Sequence, residues 1–233
     1  MFAKAFCISI VYLSFVRVTI PPRSSESVWV SKTDKVCPEK SFIVSRYHPY
    51  ILVGLVSLWT LSYLALLLWS DSDDTAVRPE IAQLHELKPW HIILTVIALA
   101  GSQLRAWSFR TLSWFFTYQL TIRPNHRLIT TGPYTYLRHP SYTGGVLNLG
   151  AFWALLWHQG LFEVFSMYAV HVLEAMGLIS SSWLFGVVGL FLWITIGQVI
   201  KRVRAEEAMM RAHFGREWDV YASQRWKFVP FVY

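Results

Sequence analysis

Long apolar runs alternate with short polar stretches along the whole chain. Ala5 to Val16 is apolar but short, with Lys4 before it and Arg17 after it. No small-residue cleavage site follows, so it reads as a short first span rather than a signal peptide. Pro21 to Arg46 is polar, with Ser, Pro and Lys prominent, and reads as a loop. Tyr50 to Trp69 carries no charge, and its roughly 20 residues match a hydrocarbon core of about 30 Å. A further span begins near Pro89 and Trp90, where proline suits a first helical turn, and runs to Leu104. Three more apolar stretches follow: Tyr142 to Trp157, Leu161 to Ile179 and Trp183 to Ile200.

Charge orients these elements. Asp71 to Glu86 is acidic, whereas Leu87 to Phe162 holds no acidic residue and carries Arg105, Arg110, Arg123, Arg127 and Arg138. Basic loops favour the cytoplasmic side, which places the acidic loop opposite. The tail from Lys201 is basic again through Arg202, Arg204, Arg211 and Arg216. An even number of crossings must then separate the two basic regions. The Leu161–Ile179 stretch carries Glu163, His171 and Glu174, which are costly at bilayer depth. It is expected to be an interfacial helix connecting a two-span hairpin. The predicted fold is all-α, a polytopic membrane helical bundle with about five transmembrane helices. Residues 1–118 form the N-terminal spans and residues 119–233 a C-terminal core, within one integrated membrane domain.

Composition supports this reading. The 233 residues are 54% hydrophobic and 15% charged, with a mean hydropathy of +0.37, against roughly 25% charged residues in soluble domains. A water-facing surface and intrinsic disorder are both excluded. The net charge of +7 matches cytoplasmic loops and anionic headgroups; no motif for reading nucleic acid accompanies it. Cys7 and Cys37 form no metal spacing, and a disulfide framework is implausible. The 12 Trp and 11 Tyr suit the membrane–water boundary.

Two polar clusters carry candidate chemistry. The first runs from His126 to Tyr142 and includes the turn signal Gly132-Pro133 and the pair His139-Pro140. A basic, aromatic linker lying on headgroups would explain such a loop in general. The concentration of Gly, Pro, His and Tyr beside a span instead points to a shaped pocket. Gly144 and Gly145 allow close approach of a helix or a ligand. The second cluster is Arg202-Val203-Arg204-Ala205-Glu206-Glu207. Arg202 and Glu206 share a helical face, and taken alone they read as a surface ion pair worth about 0.3–0.5 kcal/mol. Their place directly after the apolar Trp183–Ile200 stretch suggests an anion site at the membrane boundary. Neither cluster holds a nucleophilic Cys, a Ser/His/Asp arrangement, a metal spacing or a phosphate loop. The chemistry must rely on a cofactor or on positioning.

The combined pattern Gly132-Pro133-Tyr134…Arg138-His139-Pro140-Ser141-Tyr142-x-Gly144, then Arg202-x-x-x-Glu206-Glu207 and Phe214-Gly215-x-x-Trp218-x-x-Tyr221, resembles the isoprenylcysteine carboxyl methyltransferase family. That family sits within a wider group of membrane methyltransferases that includes phospholipid methyltransferases. The resemblance covers roughly Gln119 to Pro230. It implies a multi-pass endoplasmic-reticulum enzyme, with its active site facing the cytoplasm, that uses S-adenosyl-L-methionine to methylate the C-terminal carboxylate of prenylated proteins. By position, it implies a cofactor pocket of Gln119, His126, Arg127, Leu128, Ile129, Tyr134, His139, Pro140, Ser141, Tyr142 and Glu206. Arg202 would hold the substrate carboxylate, and Arg202 and Glu206 would be the catalytic pair. The implied partners are prenylated protein C-termini and membrane lipid, with no metal and no nucleic acid. One departure stands out: the family's connecting hairpin is tight, whereas Glu163 to Gly177 forms a long insertion between Tyr142 and Arg202.

The residues also permit other readings. A phospholipid N-methyltransferase needs a base, and His126, His139 or Glu206 could serve. Phe214-Gly215-Arg216-Glu217-Trp218…Tyr221…Pro230 is also similar to the C-terminal end of NADPH-dependent sterol reductases. A non-catalytic membrane scaffold would bind no S-adenosylmethionine.

Overall fold

The computed structural model describes residues 2–20, 48–69, 85–116, 120, 122, 125–157, 175–176 and 181–230. These residues form helices and two 3₁₀ turns, with no strand among them. In chain order the helices are α1 (Phe2–Thr19), α2 (His48–Trp69), α3 (Pro89–Leu112), α4 (Pro140–Trp157), α5 (Ser181–Phe214) and α6 (Arg216–Ser223). The 3₁₀ turns are Ser113–Phe115 and Gly132–Thr135.

Among the described residues, three helices (α1, α2 and α3) are long and apolar enough to cross a membrane. The first span is longer at both ends than its apolar stretch: α1 has 18 residues, about 27 Å at 1.5 Å each. Likewise α3 does not stop at Leu104 but continues through Arg105 to Leu112. It starts where Pro89 follows an extended Lys88, whose N–H donates to His91 Nδ1 at 3.0 Å. The expected Pro21–Arg46 loop and most of the acidic loop lie outside the described residues. So does the expected interfacial helix, apart from Ala175 and Met176.

Packing at the bundle centre depends on missing side chains. A Cβ on Gly144 would lie 2.5 Å from Gly101 O and 2.8 Å from Arg105 N. Only glycine lets α3 and α4 cross this closely, the small-residue contact common between membrane helices. Beside the crossing, Asn148 Nδ2 donates to Ser14 Oγ at 2.8 Å and to Ala98 O at 2.9 Å. One amide thus joins α1, α3 and α4. The surrounding core contains Ile8, Val11, Phe15, Tyr63, Leu67, Phe152 and Leu155, with the Phe15 and Phe152 rings stacked at 5.3 Å. Tyr12 and Ser57 tie α1 to α2 through a 2.6 Å hydrogen bond. Outward-facing Leu55, Leu58, Leu61, Ile92, Ile93 and Val96 are exposed, as a lipid-facing surface requires.

Arg105 fixes which helix ends meet. Its Nε donates to Val18 O at 3.0 Å, and its Nη1 donates to Ser141 O at 2.9 Å. The C-terminal ends of α1 and α3 therefore lie beside the N-terminal end of α4. So α1 and α3 run the same way and α4 runs back, the alternation that the charge pattern predicts. The last long helix differs in kind. Helix α5 has 34 residues and is about 51 Å long, well beyond a core of about 30 Å. Its final turns, with Arg202, Glu206 and Glu207, continue the apolar stretch without a break.

Candidate functional site

The site is built on the turn between α3 and α4. Gly132 has φ +61°, and a Cβ there would meet Thr111 Oγ1 at 2.8 Å. The residue type is set both by the left-handed backbone and by close packing on the end of α3. Pro133 and Tyr134 then turn inward and are buried. Tyr221 of α6 fixes this turn from the other side, donating its hydroxyl to Tyr134 O at 3.0 Å. Burial pushes the Tyr221 hydroxyl up to about 12, so it remains a donor at neutral pH. Burial also raises the Tyr134 phenol well above its usual value.

The chain beyond α6 returns alongside residues 136–139. Arg138 N–H donates to Trp226 O at 2.8 Å and His139 N–H to Lys227 O at 3.1 Å, while Trp226 N–H donates to Tyr136 O at 3.3 Å. Thr143 Oγ1 donates to Phe228 O at 2.7 Å. These bonds hold the residue before Pro140 in place, and α4 begins at that proline.

At this end of the bundle the two polar clusters meet. Tyr142 and Arg202 are 60 residues apart, yet Arg202 Nε donates to the Tyr142 hydroxyl at 2.9 Å. That hydroxyl donates in turn to Glu206 Oε2 at 3.0 Å. His139, whose side chain is 2% exposed, has Nδ1 at 3.8 Å from Glu206 Oε1 and Nε2 at 3.1 Å from Glu207 Oε1. Glu207 also accepts from Arg138 Nη1 at 3.1 Å and from Lys227 Nζ at 2.8 Å. Burial alone would raise the Glu207 carboxyl. The hydrogen bonds from His139 and Lys227, with the charges of His139 and Arg138, outweigh burial and hold it at about 2. Glu206 is the more accessible carboxylate, 31% exposed against 19% for Glu207.

The other sequence-predicted residues are more dispersed. Pro140 is buried at the start of α4. Ser141 is held by Arg105, which donates to its carbonyl and, at 3.1 Å, to its hydroxyl. His126 stacks on Phe115 at 4.7 Å and lies edge-on to Phe214 at 5.7 Å. Phe214 is eight residues beyond Glu206 on α5, about 12 Å along the helix. Arg127 is exposed, and Leu128 and Ile129 are half-buried. Gln119 lies outside the described residues.

Sequence reasoning missed four side chains that the structure places in or beside the cluster. Glu207 and Arg138 stood inside the quoted motif without a role. Arg105 gave no signal beyond its charge. Lys227 reaches Glu207 through the long-range pairing at Trp226, which no local pattern reveals. Among the described residues no three His, Cys, Asp or Glu side chains group to hold a metal ion.

The arrangement joins cations and carboxylates beyond the apolar part of α5. It can orient an anion through a guanidinium and a cation or hydroxyl through Glu206.

Comparison with known proteins bears out the resemblance read from the motif. A model of the isoprenylcysteine carboxyl methyltransferase (ICMT) family matches residues 92–176. The matched stretch includes the Gly132–Tyr142 motif and stops before Arg202; the geometry joins the two. Over 141 residues the chain is 29% identical to protein-S-isoprenylcysteine O-methyltransferase B of Arabidopsis thaliana, covering 60% of this chain and 58% of that protein. Two proteins described as probable protein-S-isoprenylcysteine O-methyltransferases, from Oryza sativa subspecies indica and japonica, are each 27% identical over 139 residues, covering 59% of both chains. The chain thus spans between half and two thirds of the length of these relatives. No solved structure matches it.

Proposed function

We propose that this protein is a membrane methyltransferase that uses S-adenosyl-L-methionine to convert the C-terminal carboxylate of a prenylated cysteine in CaaX-type proteins into a methyl ester. The reading rests above all on the Arg202–Tyr142–Glu206 chain of hydrogen bonds beside His139. It joins a guanidinium and a partly open carboxylate through one tyrosine hydroxyl.

The residues present suit such a cofactor. Glu206 can accept from an ammonium or a ribose hydroxyl. The rings of His139 and Tyr142 meet edge to face at 5.7 Å, and a phenol face attracts a cationic group. Tyr134, His139 to Tyr142 and Glu206 would line the near part of the pocket. His126 to Ile129 would line a part farther along α5, with Gln119 completing it. When bound, the cofactor supplies a methyl group on a sulfonium, a leaving group that needs no acid.

The protein has little proton chemistry to perform. An α-carboxyl has a pKa of about 3.5, so the acceptor is already a nucleophile at pH 7 and needs no base. Arg202 orients that carboxylate through its planar fork, and Tyr142 holds the guanidinium at its Nε. Glu206 bonds to the same hydroxyl, which couples the acceptor side to the cofactor side. Alignment of this kind supplies about 7–11 kcal/mol in well-oriented reactions. The basic, acid-free Leu87–Phe162 region and the basic tail support a cytoplasmic site, in the endoplasmic-reticulum membrane where related processing is expected. The lipid tail would enter sideways between spans.

The deciding experiment gives the purified protein, in lipid nanodiscs, methyl-labelled S-adenosylmethionine with acetyl-farnesylcysteine, a phosphatidylethanolamine and a sterol in parallel. A base-labile methyl ester on the first substrate is expected. Label on the lipid amine would replace this reading with an N-methyltransferase.

A further inference from the structure

His139 is held on several sides. Its N–H donates to Lys227 O at 3.1 Å, and its ring packs against Phe228, with the centroids 5.7 Å apart. Its Nε2 lies 3.1 Å from Glu207 Oε1, and Glu207 Oε2 is 2.8 Å from Lys227 Nζ. The charged or titratable groups around the ring are Arg138, Glu206, Glu207, Lys227 and Tyr142. Glu207 is ionised above about pH 2, and a carboxylate can only accept. The Nε2 proton therefore points to Glu207, which leaves Nδ1 turned toward Glu206.

We propose that Glu207 and Lys227 are positioning residues: the returning C-terminal segment brings Lys227 onto Glu207, and this pair locks the His139 ring with Nδ1 facing the ligand side of the pocket. Glu206 and Glu207, adjacent in sequence, thereby have different tasks. Glu206 faces the ligand; Glu207 faces away and sets the histidine. Carboxylate partners fix the ring orientation of metal-ligating histidines in this way, and hydrogen bonds from supporting residues lock the side chains of functional sites generally. Lys227 performs its part from outside both sequence motifs, through backbone pairing at Trp226 and Lys227.

The test uses the full chain in phosphatidylcholine nanodiscs, with ¹⁵N-labelled histidine and His139 assigned by its loss in His139→Gln. The wild type should carry a proton on Nε2. Glu207→Gln and Lys227→Met should shift both ring-nitrogen signals, and Lys227→Arg should restore them. Unchanged signals in Lys227→Met overturn the proposal, as does failure of Lys227→Arg to restore them. A second readout, S-adenosylmethionine affinity, rests on the methyltransferase reading. It should weaken about tenfold in Lys227→Met, by analogy with the loss of supporting partners at metal sites, and recover in Lys227→Arg. Absence of binding in the wild type would sink the methyltransferase reading while leaving the ring-nitrogen result to decide the positioning pair.

Discussion

Arg202 and Glu206, one helical turn apart on α5, are joined through an oxygen from another helix. The Tyr142 hydroxyl accepts from Arg202 Nε at 2.9 Å and donates to Glu206 Oε2 at 3.0 Å. A simple i,i+4 surface pair would need no third partner. Tyr142→Phe removes only that oxygen. Hydrogen bonds to charged groups are worth about 1.5–3 kcal/mol, so kcat/KM should fall roughly 10- to 100-fold. Thermal unfolding should change little. A variant with wild-type turnover would show that the hydroxyl is incidental.

Arg202→Ala separates binding from turnover. Turnover with a prenylated acceptor should be lost, while S-adenosylmethionine still binds, as measured by calorimetry in nanodiscs. Arg202→Lys should recover little, because an ammonium lacks the planar fork. Loss of cofactor binding in Arg202→Ala would reverse the division of roles between Arg202 and Glu206.

The crossing of α3 and α4 gives a stability expectation independent of activity. In Gly144→Ala the new methyl must displace Gly101 O and Arg105 N, which are backbone atoms. Overpacking of this kind costs about 1–3 kcal/mol. The unfolding midpoint in detergent should drop, whereas Gly150→Ala, with open space around its Cβ, should not destabilise.

Acid should act through Glu207. Its carboxyl is held at about 2 against an ordinary 4.5. A depressed folded-state value means that its contribution is complete above about pH 4.5 and is lost as the pH falls toward 2. An acid titration followed by near-ultraviolet circular dichroism should show packing loss in that window. Glu207→Gln should be less stable at neutral pH and lose less within the window. An unaltered acid profile in that variant would assign the transition to other carboxylates.

The helices were legible because lipid imposes uncharged runs of fixed length, so Tyr50–Trp69 and Trp183–Ile200 could be found without any partner. Their ends were less legible. Leu104 looked terminal because Arg105 follows it, but Arg105 is used internally, bonding Val18 and Ser141, and α3 continues. At the site, His139, Tyr142, Arg202 and Glu206 stood out by residue type and by their position beside apolar stretches. The insertion between Tyr142 and Arg202 departs from the family's tight hairpin, yet the two residues still meet, because distance along a chain sets no distance in a bundle. Lys227 was invisible because its role depends on backbone pairing with residues almost 90 positions earlier. His126 was grouped with His139 from sequence, whereas its ring packs on Phe115 and Phe214 instead.

The uninterrupted course of α5 has a mechanical meaning. Arg202 and Glu206 ride on the same continuous helix as the apolar Trp183–Ile200 stretch, which the hydropathy pattern predicts to lie in lipid. A thinner or thicker bilayer tilts embedded helices at modest cost, and such a tilt would swing both side chains together against Tyr142, which is anchored on a different helix. Bilayer thickness thereby becomes a variable of the pocket, and turnover should be compared across acyl-chain lengths rather than in one lipid alone.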